Sequence, residues 1–398
     1  MPINVALGTS KNRDPIQAAG EALNQARENL SSDRVDLCIV FTSSSLTNPN
    51  ILKTIRNYLS DQVPVCGSSG IAIITNEGEA LKHGIIIVLL TFSGSIYFNS
   101  ASVENISLKT PFSAGEELGD KLSFGFKNIR RDFGIIFSDG LIYDASAFLS
   151  GLQRSLGLSF PIAGGCASDS LKVHKTYLYY NDTVSNDSAC GLVFGGKLNF
   201  GIGIKHGWKP LGKMRFITSS NANVVYEIDN QPAAKIYEEY FSMNVNQIRK
   251  ELKRISILYP IGIFLEGEDE YLLRNLLVVD ERGALIFQGS VPQGSSMRLM
   301  IGTKESCLDA ARQAAEEVKK IFLGRNIKFV LVFDSASRYT LLRREAEQEI
   351  NIIREVLGKD TVIAGFYTFG EQAPLKSINY QGKSYFHNQG IAILGIGD

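Results

Sequence analysis

The chain has 398 residues, of which 44% are apolar and 21% charged, an ordinary globular mixture that excludes extensive disorder. Its 41 basic and 41 acidic side chains cancel, so it lacks the positive footprint of a nucleic-acid binder, and no polybasic run suggests a membrane surface. The length suits two or three domains, or one large α/β assembly.

In chain order, the opening MPINVALGTSKNRD lacks the apolar core of a secretory signal. The longest apolar run, Ile85 to Leu90, is far below the roughly 18 residues a membrane span needs. Both point to a cytoplasmic protein, from which any signal would have to reach a separate partner. Asp14 followed by Pro15 marks a helix start, with Ile16, Ala19, Leu23 and Ala26 on one face. The cysteines are Cys38, Cys66, Cys166, Cys190 and Cys307; the odd count and the lack of a CxxC pair indicate buried, reduced thiols.

A unit then recurs three times. Asp36 to Phe41 reads as a strand ending in Thr42 and Ser43 to Ser45. A helix carrying Ile51, Leu52, Ile55 and Leu59 follows, then Val63 to Gly70 as a short apolar stub and Gly-rich turn, then the strand Ile85 to Phe92. The second copy runs through Gly134 to Phe137, Ser138-Asp139, a helix with Phe148, Leu149, Leu152 and Leu156, Pro161 to Asp169, and Cys190 to Phe194. The third runs through Phe329 to Phe333, Asp334-Ser335, a charged amphipathic helix from Arg343 to Leu357, Val362 to Glu371, and Ile391 to Gly395. Between the second and third copies lies a Gly/Pro cluster at 207–212, read as a junction. A helix opening at Tyr226 to Lys235 follows, with a hairpin of Leu276 to Val279 and Ala284 to Phe287. The strand Arg298 to Ile301 and a long helix from Ser306 to Phe322 complete this part. The expected fold is α/β, with repeated strand-helix-strand units and mixed β-sheets. Two domains are expected. Residues 1–207 hold two related α/β units; residues 220–398 hold an α+β hairpin part followed by the third unit.

Parallel strands gather their helix-connecting loops at one sheet edge, and ligands bind at the carboxyl ends of such strands. Those ends carry Ser43, Ser44, Asp139 and Ser335. The Gly-rich turns would add backbone N–H donors and room for close approach.

Gly365-Phe-Tyr-Thr-Phe-Gly-Glu-Gln-Ala-Pro374, followed by Phe386-His-Asn-Gln389, resembles the C-terminal signature of FIST-domain proteins. Phe287 to Ser295 and Tyr226 to Ala234 resemble earlier parts of that domain. Gly8-Thr-Ser10, Gly67-Ser-Ser-Gly70, Asp139-Gly140 and Gly164 to Asp169 resemble the FIST N-terminal domain. The family often has an acidic residue after the position of Gly70, where this chain has Ile71-Ala72. It often has a cysteine and a glycine ahead of Arg338, where this chain has Ser335 and Ser337. The resemblance implies a two-domain FIST N plus FIST C architecture and a sensory input module that binds small ligands, amino acids among them, for a signalling partner. Some standalone members are haem proteins that sense nitric oxide and act on a partner histidine kinase.

The candidate ligand-binding residues are Ser68, Ser69, Asp139, Gly165, Asp169, Arg338, Tyr367, Glu371 and Asn388. Arg338 just past a strand end could clamp a carboxylate bidentately, or be a helix-start arginine. Asp139 and Asp169 could receive an amine, or form turns and caps. Glu371 suits a site or an interface as well as a turn, and Tyr367 and Phe366 could line a pocket. Ser68 and Ser69 lack the G-x-S-x-G spacing of a nucleophile elbow and read as a backbone cradle. A hydrolase using Cys166 or Ser69 stands as an alternative without a base at diagnostic spacing. His83, His174, His206 and His387 form no HxH or HxxxH pair, so no metal site is expected. His174 or His206 alone could ligate a haem.

Overall fold

Three six-stranded sheets, each built on four strands of one plan, form the frame of the computed structural model, which describes residues 3–126, 128–196, 198–268, 270–375 and 383–398. The first unit uses strands Ile3–Ser10, Leu37–Ser43, Val65–Gly70 and Ile85–Phe92. The second uses Tyr97–Glu104, Arg131–Ser138, Ile162–Cys166 and Ser188–Gly195; the third uses Asn199–Lys205, Ile327–Ser335, Val362–Thr368 and Ile391–Gly397. In each, the second and third strands are parallel. The fourth runs antiparallel to the second, and the first antiparallel to the fourth. The threefold repetition and the mixed α/β class read from the sequence are both present.

Helices follow the same plan. Pro15–Asn29, Pro111–Ser123 and Lys304–Phe322 lie between first and second strands. Asn50–Arg56, Ala145–Leu156 and the pair Ala336–Leu342 and Ala346–Leu357 lie between second and third. The Asp14 carboxylate accepts from the Ile16 and Gln17 amides, as its capping position requires. The charged helix expected from Arg343 starts at Ala346, because residues 343–345 form a separate 3₁₀ turn. In the third unit the stretch 206–303 is inserted between the first strand and its helix. It carries an antiparallel sheet that includes the long strand Lys209–Asn221, the expected hairpin of Leu276–Val279 with Leu285–Phe287, and Ser296–Ile301.

The units exchange strands in a closed cycle. Leu178–Tyr180 of the second unit completes the first sheet beside Val65–Gly70. Glu371–Pro374 of the third completes the second sheet beside Ile162–Cys166. Ile73–Ile74 of the first completes the third sheet beside Val362–Thr368. Each parallel edge is thereby covered by a neighbour, so no unit leaves that edge unpaired. At the centre stand the equivalent residues Phe41, Phe137 and Phe333, packed around Phe366 with centroids 5.1 Å, 6.3 Å and 5.9 Å from it.

The Gly-rich segments are strands, not the turns expected from sequence. Gly67, Gly164 and Gly365 occupy equivalent third-strand positions. A Cβ there would stand 1.8, 2.1 and 2.0 Å from the carbonyl oxygens of Val40, Ile136 and Val332. Glycine weakens an isolated strand, so its presence mimics a turn signal; here close backbone approach demands it. Their backbone groups serve the ladder, so they supply no ligand cradle. Among the described residues, no helix is long and apolar enough to cross a membrane.

These glycines give a direct test. Gly365→Ala should destabilise by about 3 kcal/mol or more, because backbone cannot yield as a flexible side chain can. Gly20→Ala, in the helix Pro15–Asn29 with nothing within 4 Å of the added carbon, should stabilise by about 1 kcal/mol. Urea unfolding of the two variants beside the parent measures both.

Candidate functional site

A cleft of about 530 Å³ opens at the strand ends where the inserted sheet and its helices meet the repeats. One wall comes from the second unit: Leu141 and Ile142 after the strand Arg131–Ser138, and Leu171 and Val173 in the loop after Ile162–Cys166. The facing wall is the insert, with Leu252 and Ile257 on the helix Leu252–Leu258 and Leu276 on the hairpin. The third unit supplies the floor through Ser335, Ser337, Thr340 and Thr368.

None of the nine residues expected to touch a ligand lines this cleft; several of them hold residues that do. The Asp139 carboxylate accepts the Leu141 amide at 2.8 Å and the Thr176 hydroxyl at 2.6 Å, fixing the turn that presents Leu141. The Asp169 carboxylate accepts the amides of Lys172, Val173, His174 and Lys175 at 2.8–3.4 Å. It thereby closes a loop in which Leu171 and Val173 both sit at positive φ, 62° and 52°. Such a backbone is costly for leucine and more so for β-branched valine, and persists only where its surroundings enforce it.

Arg338 is fully buried, and its donors are engaged. It donates to Asp334 Oδ1 at 2.9 Å, the His206 carbonyl at 2.6 Å, the Cys307 carbonyl at 2.9 Å and the Glu349 carboxylate. Burial opposes the cation, but Glu349, Cys307 and Asp334 outweigh it and hold the guanidinium charged. Burial, reinforced by Glu349, pushes the Asp334 carboxyl well above the usual carboxylate range. The arginine therefore anchors the short helix Ala336–Leu342, whose start borders the cleft.

Glu371, also fully buried, accepts the Thr368 hydroxyl at 2.6 Å and the Gly390 amide at 2.9 Å, and burial pushes its carboxyl up to about 8. Asn388 accepts the Asn275 amide at 3.1 Å and donates to Gln288 Oε1 at 3.2 Å; both partners line the cleft. Gln389, in the same motif, donates to the Ser256 carbonyl at 2.7 Å and so pins the helix of the facing wall. Tyr367 stacks on Tyr339 at 4.5 Å, and its carbonyl accepts the Ser168 hydroxyl. Ser68, Ser69 and Gly165 are strand residues in the buried interior.

The lining residues Leu252, Ile257, Asn275, Thr340, Leu171 and Val173 were not singled out by sequence reasoning. Gln288 lies inside the Phe287 to Ser295 motif and was within reach of it. The others have no local signal, because the cleft exists only once the insert docks on the repeats. At its base, Asn275 Oδ1 is buried and has no hydrogen-bond partner among the described residues.

Histidine does not furnish a cofactor ligand in the cleft, since none of the four lines it. His206 accepts the Trp208 amide at 2.9 Å through Nδ1, and its Nε2 lies 3.3 Å from Glu270; burial lowers its pKa to about 4. His387 is buried against the Ala373 carbonyl at 3.0 Å, and His174 is exposed. These residues do not fit a histidine-ligated haem in the cleft. Among the described residues no three His, Cys, Asp or Glu side chains group to hold a metal ion.

Residues 36–231 match the FIST N domain and residues 233–374 match the FIST C domain. The chain belongs to the FIST family. FIST domains are regarded as small-ligand sensory domains of signalling proteins. The uncharacterized protein MJ1623 of Methanocaldococcus jannaschii is 26% identical over 78% of this chain; the chain spans only 62% of that relative's length. The uncharacterized protein Mb0898c of Mycobacterium bovis is 20% identical over 95% of this chain and 96% of its own. Among solved structures, a cyanuric acid hydrolase from A. caulinodans aligns over 99% of both chains with a TM-score of 0.37 and 9% identity. PurLQS from Thermotoga maritima aligns over all of this chain and 73% of its own with a TM-score of 0.25 and 9% identity. Likenesses that slight carry no argument about activity.

Two variants test the buried supports. Arg338→Met should cost about 3–5 kcal/mol, because it leaves carboxyls buried without their cation. For Glu371 the raised pKa means that the folded chain holds a proton which the unfolded chain, with an ordinary value near 4.3, has released. Stability from this group is therefore full below about pH 4.3 and falls as pH rises towards about 8. Glu371→Gln should remove that slope, which amounts to a few kcal/mol on the order-of-magnitude scale of such shifts. Melting temperatures of both proteins across this range read the difference.

Proposed function

We propose that the chain is a small-ligand sensor of the cytoplasm. Its ligand binds in the cleft between the repeats and the insert, biases their relative orientation, and so signals to a partner protein such as a histidine kinase. The observation that carries this reading is the cleft itself. Its walls come from both halves, so a ligand held there touches the second unit and the insert at once. A ligand touching both walls favours whichever arrangement fits it better, and only a difference in affinity between arrangements can transmit a signal.

An amino acid or related metabolite fits the class. Its ammonium would meet neutral hydroxyl oxygens, those of Ser335 and Ser337, because among the described residues no carboxylate lines the cleft. Binding without chemistry is supported by the two nucleophile candidates. Burial pushes the Cys166 thiol up to about 12, and the buried Ser69 hydroxyl donates to the Ser168 carbonyl at 3.2 Å. Neither lines the cleft.

Thermal unfolding of the purified protein against amino acids, related metabolites and haemin tests the proposal. A true ligand at 100 times its Kd should stabilise the fold by about 2.7 kcal/mol. Ser337→Trp, which fills the cleft from the helix Ala336–Leu342, should abolish that shift without lowering the melting temperature of the free protein. A shift that survives this substitution would place the ligand elsewhere.

A further inference from the structure

Beside the cleft lies a second depression, of about 720 Å³, and Leu171 and Thr340 stand in the walls of both. It is lined by Lys82 of the first unit and by Arg343, Arg344 and Glu347 of the third, with Tyr339 as an aromatic wall. Among the described residues, Lys82, Arg343 and Arg344 make no ion pair, whereas the neighbouring Lys304 pairs with Glu345. The cleft itself adds Lys253 and no acid. Among the described residues, the two adjoining concavities thus carry four cations against one carboxylate in a chain whose total charge is zero.

Arg343 is held at φ 56°, ψ −111°, a conformation that an L-residue other than glycine avoids. The chain therefore places an arginine at this turn where a glycine would relieve strain. Two adjacent guanidiniums suit bidentate contact with phosphate oxygens better than with a point acceptor. Lys82, Arg343 and Arg344 against Glu347 leave two net positive charges, which matches the dianion of a phosphate monoester near neutral pH.

We infer that the ligand of the cleft is a phosphorylated small molecule, its organic part against Leu141, Val173 and Ile257 and its phosphate on the shelf of Lys82, Arg343 and Arg344. This rests on the sensor reading above and narrows it to one ligand class. Long-range attraction into concavities of net positive charge would also speed capture of such an anion and make it sensitive to salt.

Isothermal titration calorimetry with phenyl phosphate, inorganic phosphate and phenol as probes tests the inference on three proteins: the parent, Ser337→Trp and the double variant R343G/R344A. The parent should bind phenyl phosphate more tightly than either fragment. The double variant should lose at least tenfold in affinity for it, while its melting temperature stays level or rises through relief of strain at residue 343. Ser337→Trp should lose the preference for phenyl phosphate over inorganic phosphate. Unchanged affinity in R343G/R344A overturns the inference, as does binding of phenol equal to that of phenyl phosphate. If a neutral compound binds the parent, is lost in Ser337→Trp and is indifferent to R343G/R344A, the phosphate inference fails while the sensor reading stands. If none of these probes and no member of the metabolite panel binds, both fail.

Discussion

The structure depends on one constraint: the third strand of every repeat is an edge that the repeat cannot cover by itself. Each edge is closed by a segment lent from another unit, Leu178–Tyr180 to the first, Glu371–Pro374 to the second and Ile73–Ile74 to the third. An exposed parallel edge would invite pairing with another chain, so the exchange couples the folding of the three units. It also carries the loops that follow the third strands across the centre of the molecule. Ser168 shows the result, with its hydroxyl donating to the Tyr367 carbonyl of the third unit and accepting the Ile71 amide of the first.

Because those loops cross at the strand ends, the cleft is built by the same device that closes the sheets. Its facing walls carry leucine, isoleucine and valine, and several buried charged and amide residues behind them act as supports. Asp139 and Asp169 shape the loops carrying Leu141, Leu171 and Val173. Arg338 fixes the helix carrying Ser337, and Asn388 and Gln389 tie in the insert. Buried polar groups held by several hydrogen bonds favour one arrangement at the expense of others.

Much of this was legible in the sequence. The second and fourth strands of each unit showed as apolar runs. The cap at Asp14, the apolar face of the helix Ala145–Leu156 and the long helix read from Ser306 to Phe322, which starts at Lys304, showed as well. The first strands, such as Tyr97–Glu104 and Asn199–Lys205, escaped notice because their composition is too mixed or too rich in glycine to signal a strand. The third strands were read as turns, since a glycine required by close backbone packing looks the same as one required by a bend. The candidate site was legible by one remove. The polar residues at strand ends were found, but whether a carboxylate faces a ligand or its own loop depends on side-chain direction, which spacing does not fix. The hydrophobic lining depends on docking of the insert, which brings together residues far apart in the sequence, such as Leu141 and Leu252.

Hydrogen–deuterium exchange, with and without a compound that raises the melting temperature, is the most direct measure of the central claim. The account predicts that binding slows exchange together in residues 140–143, in the loop 169–175 and in the helix Leu252–Leu258, the two walls of one cleft. Slowed exchange confined to one wall, or to a surface remote from both, would contradict it.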